Sequence, residues 1–171
     1  MRINVDKDSD QTMTGPGEIY AKEISKAGNA FAYSIYQHSK LPLKVFEAAR
    51  IATAMINGCM ICMNWQSKRD VHQMGITEGV IKNGEAPNEA FYSNLLNENY
   101  SDLSKQELLA VKFAKAMGED PKKLSKDENF WVEVKGVFSD AEITDLTYCI
   151  AGWMGMGRVA HVLGLDQNCE V

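Results

Sequence analysis

A chain of 171 residues, 45% hydrophobic and 24% charged, is long enough for one compact domain, because a domain of roughly 150 residues buries about 70% of its unfolded surface. The formal charge of −5 is spread over interspersed Lys and Asp/Glu rather than gathered in a block. A nucleic-acid partner, which calls for a basic face, is therefore not expected.

The opening residues Met1-Arg2-Ile3-Asn4-Val5-Asp6 lack the charged and apolar regions of an export signal. No uninterrupted apolar run is long enough for a membrane helix. Cys59, Cys62, Cys149 and Cys169 are too sparse for a disulfide framework, so a reducing, cytoplasmic setting is expected.

Taken in order, residues 1–17 are polar, contain Gly15-Pro16-Gly17 and show no period, which predicts a flexible N-terminal arm before a single domain over 18–171. From Glu18 the spacing of Ile19, Tyr20, Ile24, Ala27, Phe31 and Ile35 predicts a helix to about Ser39. Pro42 suits the first turn of a second helix, Leu43 to Asn57, apolar nearly all round and hence central or at a subunit contact. Its ionisable residues on that apolar run are Glu47 and Arg50. Asn57-Gly58 supplies a stop, since glycine enters the left-handed conformation at little steric cost. A third helix is expected from Cys59 through Trp65, Val71 and Met74 to Gly75.

Short helical pieces follow at Thr77 to Lys82 and Asn88 to about Asn97. Ser104-Lys105-Gln106-Glu107 is a capping box opening a further helix, Pro121 to Lys126 a charged connector, and Asn129 to Val137 another helix. A second capping box, Ser139-Asp140-Ala141-Glu142, launches a long apolar segment, Ile143 to Leu163. Gly152, Gly155 and Gly157 within it cost about 1 kcal/mol each against Ala, so close helix packing or a kink is expected there. With no alternating run bounded by hairpin turns, the fold class is all-α.

The stretch from Glu47 to Gln66 carries the chemistry. Cys59 and Cys62, at i and i+3, share a helical face, and Gln66 extends the same stripe. A thiol reacts as its thiolate, which C-x-x-C spacing and a helix start both favour, so the pair can cycle between dithiol and disulfide. Buried, unreactive cysteines are the plain alternative. Structural zinc calls for a second ligand pair that does not follow, and haem attachment needs histidine where Met63 stands, so neither metal nor cofactor is expected. Glu47 is either a carboxyl raised in pKa and fit for proton transfer, or an i,i+3 partner of Arg50 at a solvated helix edge.

The histidines, His38, His72 and His161, lie outside the C-x-x-C stripe; His72 reads as a surface residue and His161 could reach inward. Trp65 and the methionines at 55, 60, 63, 154 and 156 fit a core or interface stripe, or the wall of an apolar pocket. Arg158, among apolar neighbours, fits a buried salt bridge or an anionic contact.

These residues resemble the carboxymuconolactone decarboxylase and alkyl hydroperoxidase D-like family, whose pattern is a glutamate twelve positions ahead of C-x-x-C-x-x-x-H; here Glu47, Cys59 and Cys62 keep the spacing. The segment D-A-E-I-T-D-L-T-Y-C-I-A with the later G-R-V-A-H-V-L-G-L is similar to that family's closing helix, so the likeness covers most of 40–165. The resemblance implies an all-helical homo-oligomer, a trimer or hexamer, with its site near a subunit contact.

It further implies a thiol-dependent peroxidase or disulfide oxidoreductase acting on a small-molecule peroxide or disulfide with a separate thiol reductant. Cys62 would become the sulfenic acid, Cys59 would give a proton and close the disulfide, and Glu47 would serve the proton relay. The chain departs at Gln66, where the family has histidine: an amide does not ionise near neutral pH and cannot carry a proton. If that relay is what is missing, Gln66→His should raise peroxidase activity. Two other functions stay open: a decarboxylase-type enzyme on a small organic acid or lactone using Glu47 and Arg158, and a redox sensor that oxidises without turnover.

Overall fold

The computed structural model describes residues 1–4 and 15–167, and among them every regular element is helical. The first helix, α1, spans Gly15–Tyr20, and α2 runs Lys22–His38. A single helix from Glu18 was expected; instead Ala21, at φ −147° and ψ 45°, leaves the helical region and separates the two. Gly15 is already helical, ahead of Glu18, and α1 lies close on α2: a Cβ at Gly17 would stand 2.4 Å from Ser25 Oγ. Of the arm expected over 1–17, residues 5–14 lie outside the described residues. Arg2 N–H donates to the Leu163 carbonyl at 2.8 Å.

The helix at Leu43–Asn57, α3, is the axis of the fold. Nearly every residue on it is buried, on all faces, as an apolar sequence all round requires. It packs against α6 (Glu89–Leu96), α7 (Lys105–Glu119) and the long α10 (Asp140–Leu163). Phe46, fully buried, meets Trp153 edge to face at 4.6 Å between centroids and Tyr36 at 5.4 Å. Gly58 ends α3 at φ 68°, the left-handed stop expected of Asn57-Gly58.

Beyond Gly58 the expected third helix does not form in one piece. α4 covers only Met60–Asn64, Trp65 and Gln66 are extended, α5 covers Ser67–Asp70, and a 3₁₀ turn follows at Val71–Met74. The buried Arg50 causes the break. Its guanidinium takes the carbonyls of Cys62, at 2.7 Å, and Trp65. Those oxygens would accept the next helical N–H groups in an unbroken helix. The Gln66 N–H, deprived of Cys62, donates to Asp70 Oδ2 at 2.8 Å, and the Ser67 N–H donates to Glu47 Oε2 at 3.3 Å.

The expected piece at Thr77 to Lys82 is a 3₁₀ turn over Gly79–Lys82. Gly79 sits at φ 81°, and a Cβ there would stand 2.4 Å from the Tyr36 carbonyl oxygen, a backbone atom that cannot step aside. Gly79→Ala should therefore lower stability by about 3 kcal/mol, combining left-handed strain with overlap; urea denaturation measures it.

Asn88 caps α6, receiving Phe91 N–H at 2.9 Å, and both expected capping boxes, at Ser104/Glu107 and Ser139/Glu142, are formed. The charged connector contains a helical turn, α8 (Pro121–Leu124), capped by Asp120. α9 spans Glu128–Lys135, capped by Asp127. Gly152 and Gly157 of α10 serve close packing, Gly155 faces open space, and the helix continues through all three unbroken. A Cβ on Gly152 would stand 2.2 Å from Ile35 Cδ1, and one on Gly157 2.5 Å from Asn57 Nδ2. No described helix is long and apolar enough to cross a membrane.

Candidate functional site

Cys59 and Cys62 are joined in a disulfide, their Cα atoms 5.2 Å apart, as the C-x-x-C spacing allows. Cys59 is the N-cap of α4, and its Sγ accepts the Cys62 N–H at 3.3 Å. The two sulfurs have unlike surroundings. Cys59 is fully buried in a small apolar cluster with Ala160 and Leu165. Cys62 is half-buried and lines a cavity of about 460 Å³ between α2, α3, α4 and α10. Tyr33, Tyr36, Trp65, Met74, Trp153 and Met156 also line this cavity, so the pocket reading holds for Trp65 and Met156, while Met154 is buried in the core and Met60 is exposed.

Glu47 and Arg50 form a buried, two-point ion pair, Nε to Oε1 at 2.7 Å and Nη2 to Oε2 at 2.9 Å. Ser67 also donates to Glu47 through its hydroxyl and backbone N–H. Burial by itself would push the Glu47 carboxyl up. The charge of Arg50, with hydrogen bonds from Arg50, Ser67 and Tyr92, overrides it and holds Glu47 below its ordinary value. Burial likewise opposes the Arg50 charge, and Glu47 more than offsets it, so Arg50 stays protonated.

The reading of Glu47 as a carboxyl raised in pKa is thus reversed, and its pairing with Arg50 lies in the interior rather than at a solvated edge. Both Glu47 oxygens are engaged by Arg50 and Ser67. The connection from this pair to the cysteines runs through Arg50 Nη1, which holds the Cys62 carbonyl at 2.7 Å.

Gln66 does not join the cysteines. It caps α5 with extended backbone, and its Nε2 donates to the Glu89 carboxylate at 3.0 and 3.1 Å. Four residues after Cys62 puts it on the cysteine face only in an unbroken helix, and Arg50 breaks that helix. Gln66→His should accordingly leave peroxide turnover within about twofold of the wild type, as surface changes away from a site generally do; steady-state kinetics on the variant checks this.

Arg158 is exposed and donates to the Gly118 carbonyl at 3.2 Å, away from the cavity. His72 is exposed on the 3₁₀ turn, and His38 borders a smaller pocket beside Cys149. Cys149 is buried; burial, then the Asp145 carboxylate at 3.2 Å, pushes its thiol well up, so it stays protonated and inert. Cys169 lies outside the described residues.

The sequence did not single out Tyr36, Asn57, Trp153 or Asp166. Tyr36 is pushed up to about 12, chiefly by burial, and keeps its hydroxyl proton at the cavity wall. Among the described residues, the buried Asn57 Oδ1 and Trp65 Nε1 have no hydrogen-bond partner, and both residues line the cavity. Asp166 Oδ2 receives the Met60 N–H at 3.2 Å and lies 2.9 Å from His161 Nδ1. The tight H-V-L-G-L-D turn at the end of α10 was the signal for that last pair, since Gly164, at φ 68°, folds the chain back on the helix.

Fold and site together define an all-α domain carrying a C-x-x-C disulfide whose second sulfur borders an apolar cavity. Compared with known proteins, the chain matches no family model, no curated protein and no solved structure.

Proposed function

We propose that the protein is a thiol-dependent oxidoreductase of the alkyl hydroperoxidase D-like kind, reducing organic hydroperoxides or disulfides through Cys59 and Cys62. The observation that carries the reading is the asymmetry of the pair: one sulfur borders a cavity large enough for an organic substrate, and its partner is sealed behind it at bonding distance. In the reduced state the Cys62 thiolate attacks the terminal oxygen of a hydroperoxide. The O–O bond breaks, Cys62 becomes a sulfenic acid, and the alkoxide takes a proton from solvent and leaves as an alcohol. The Cys59 sulfur then attacks Cys62, releasing water and forming the disulfide, which a dithiol reductant reopens.

Glu47 acts in this scheme by position. It fixes Arg50, and Arg50 holds the Cys62 carbonyl and bends the chain after α4, setting the sulfur at the cavity edge. The cavity wall, rich in aromatic and methionine side chains, favours a substrate with an apolar body.

A homo-oligomer is part of the proposal. Tyr148 (63% exposed), Val159 (47%) and Val162 (69%) make an apolar stripe on α10 with Ala151 and Gly155 between them, whose small size permits close helix approach. Val159→Lys should shift the protein toward monomer in size-exclusion chromatography with light scattering; an unchanged mass rejects the stripe as the contact.

The test of function is reductant-dependent loss of cumene hydroperoxide and hydrogen peroxide under the same conditions. The expected result is preferential turnover of the organic peroxide, absent in Cys62→Ser. Stoichiometric oxidation of the pair with no turnover on peroxide or small disulfide would instead leave a redox sensor.

A further inference from the structure

Cys59 poses a problem of protons. When the disulfide is opened by attack on the accessible Cys62, Cys59 is the leaving group, and it leaves into a fully buried apolar cluster. Burial disfavours a thiolate, and among the described residues the one hydrogen bond to its sulfur comes from the Cys62 N–H. Glu47 and Arg50 are committed to each other and to neighbouring groups, and Gln66 is turned to Glu89.

The chain around Cys59 is bracketed by a different titratable pair. Asp166 is 3% exposed; its Oδ2 holds the N–H of Met60, the residue after Cys59, and the Nδ1 of His161 at 2.9 Å. A carboxylate on Nδ1 sets the tautomer and turns the other ring nitrogen to its task. That other edge faces Gly58, the residue before Cys59: Nε2, Cε1 and Cδ2 stand 3.1, 3.2 and 3.5 Å from where a Cβ on Gly58 would be. Gly58 holds the left-handed φ of 68° that glycine takes most easily, and without a Cβ it lets the ring lie close on the backbone. Ala160, next to His161, belongs to the buried cluster that encloses Cys59, while the His161 side chain is 44% exposed. The imidazole therefore spans from solvent to the backbone flanking a sealed sulfur.

We infer that His161, oriented by Asp166, exchanges the proton of Cys59 with solvent, giving it a proton as the disulfide opens and removing it as the disulfide closes. This rests on the redox reading of the pair but not on the identity of its oxidant. In the opening step the thiolate of a dithiol attacks Cys62 Sγ and the Cys59–Cys62 bond breaks. The electron pair goes to Cys59, which takes a proton from the His161 imidazolium. The second thiol of the reductant then releases Cys62 as the reductant becomes a disulfide. His161 is the proton carrier and Asp166 a positioning residue.

The test follows reduction of the Cys59–Cys62 disulfide by dithiothreitol, read by quenched alkylation and mass spectrometry, with no peroxide present. His161→Ala should reduce about 10- to 100-fold more slowly than wild type at pH 7, the lower range of general acid catalysis. Added imidazole should restore much of that rate in His161→Ala and leave the wild type unchanged, a response that a purely structural loss does not give. Asp166→Asn, which keeps the side-chain shape, should be slowed to a lesser degree. Reduction of folded His161→Ala at the wild-type rate, or slowing that imidazole does not relieve, overturns the inference. If His161→Ala does not fold, wild-type reduction rates in both His161→Gln and Asp166→Asn overturn it. Because no peroxide is used, absence of peroxidase turnover bears on the proposed function alone.

Discussion

Replacing Glu47 by Gln should cost about 3–5 kcal/mol of stability, the usual consequence of leaving one member of a buried ion pair without its counter-charge. Gln keeps the volume and some of the hydrogen bonding, so the loss reports the charge. Arg50 is fixed in a fully buried place by two bonds to the carboxylate and by the carbonyls of Cys62 and Trp65. Without Glu47 the guanidinium loses the one carboxylate it is bonded to among the described residues, and the stretch it organises, from α4 to α5, loses its anchor. Urea denaturation at neutral pH measures the cost, and an effect under 1 kcal/mol would mean that the pair does not hold the fold together.

The sign of the acid dependence follows from the direction of the shift. Glu47 sits below its ordinary 4.5 in the folded protein. Its contribution is therefore fully present above about pH 4.5 and is lost as pH falls through the lower folded value. The wild type should lose stability steeply on that acid limb, and Glu47→Gln should show a shallower slope over the same range. Equal slopes in the two proteins would refute the assignment of the shift to this carboxyl.

Helix periodicity and capping made most of the fold legible. The boundaries of α3, the two capping boxes and the all-α class follow from local spacing and from side chains that meet backbone groups within three residues. The expected third helix breaks for a reason no local pattern holds. Arg50 competes for carbonyls twelve and fifteen residues away, and that competition appears only once α3 and α4 are folded against each other.

The same event removes Gln66 from the cysteine face, so a correct spacing rule gave a wrong neighbour. Glu47 and the cysteines were found because their residue types carry chemistry at recognisable intervals. His161 and Asp166 come together by a turn after the last helix, and Asp166 meets Met60 of the cysteine segment 106 residues earlier in the chain. In the sequence His161 can be placed as reaching inward and the glycine at 164 marks a turn, but nothing local says which segment the pair will meet.

The two cysteines should fail in different ways when removed singly, and the difference tests their roles more sharply than loss of activity. Cys62→Ser removes the sulfur at the cavity and should end peroxide turnover, with Cys59 slow toward alkylating reagents because it is sealed behind α4 and α10. Cys59→Ser leaves Cys62 facing the cavity without the sulfur that resolves it. One equivalent of cumene hydroperoxide should then accumulate a sulfenic acid that dimedone labels at a single site per chain, with turnover reduced to what an external thiol can sustain. The reverse pattern, a dimedone adduct on Cys59 in Cys62→Ser and none on Cys62 in Cys59→Ser, would exchange the two roles. It would also require the segment from Gly58 to Asn64 to open before reaction, since Cys59 presents no surface to a substrate as folded.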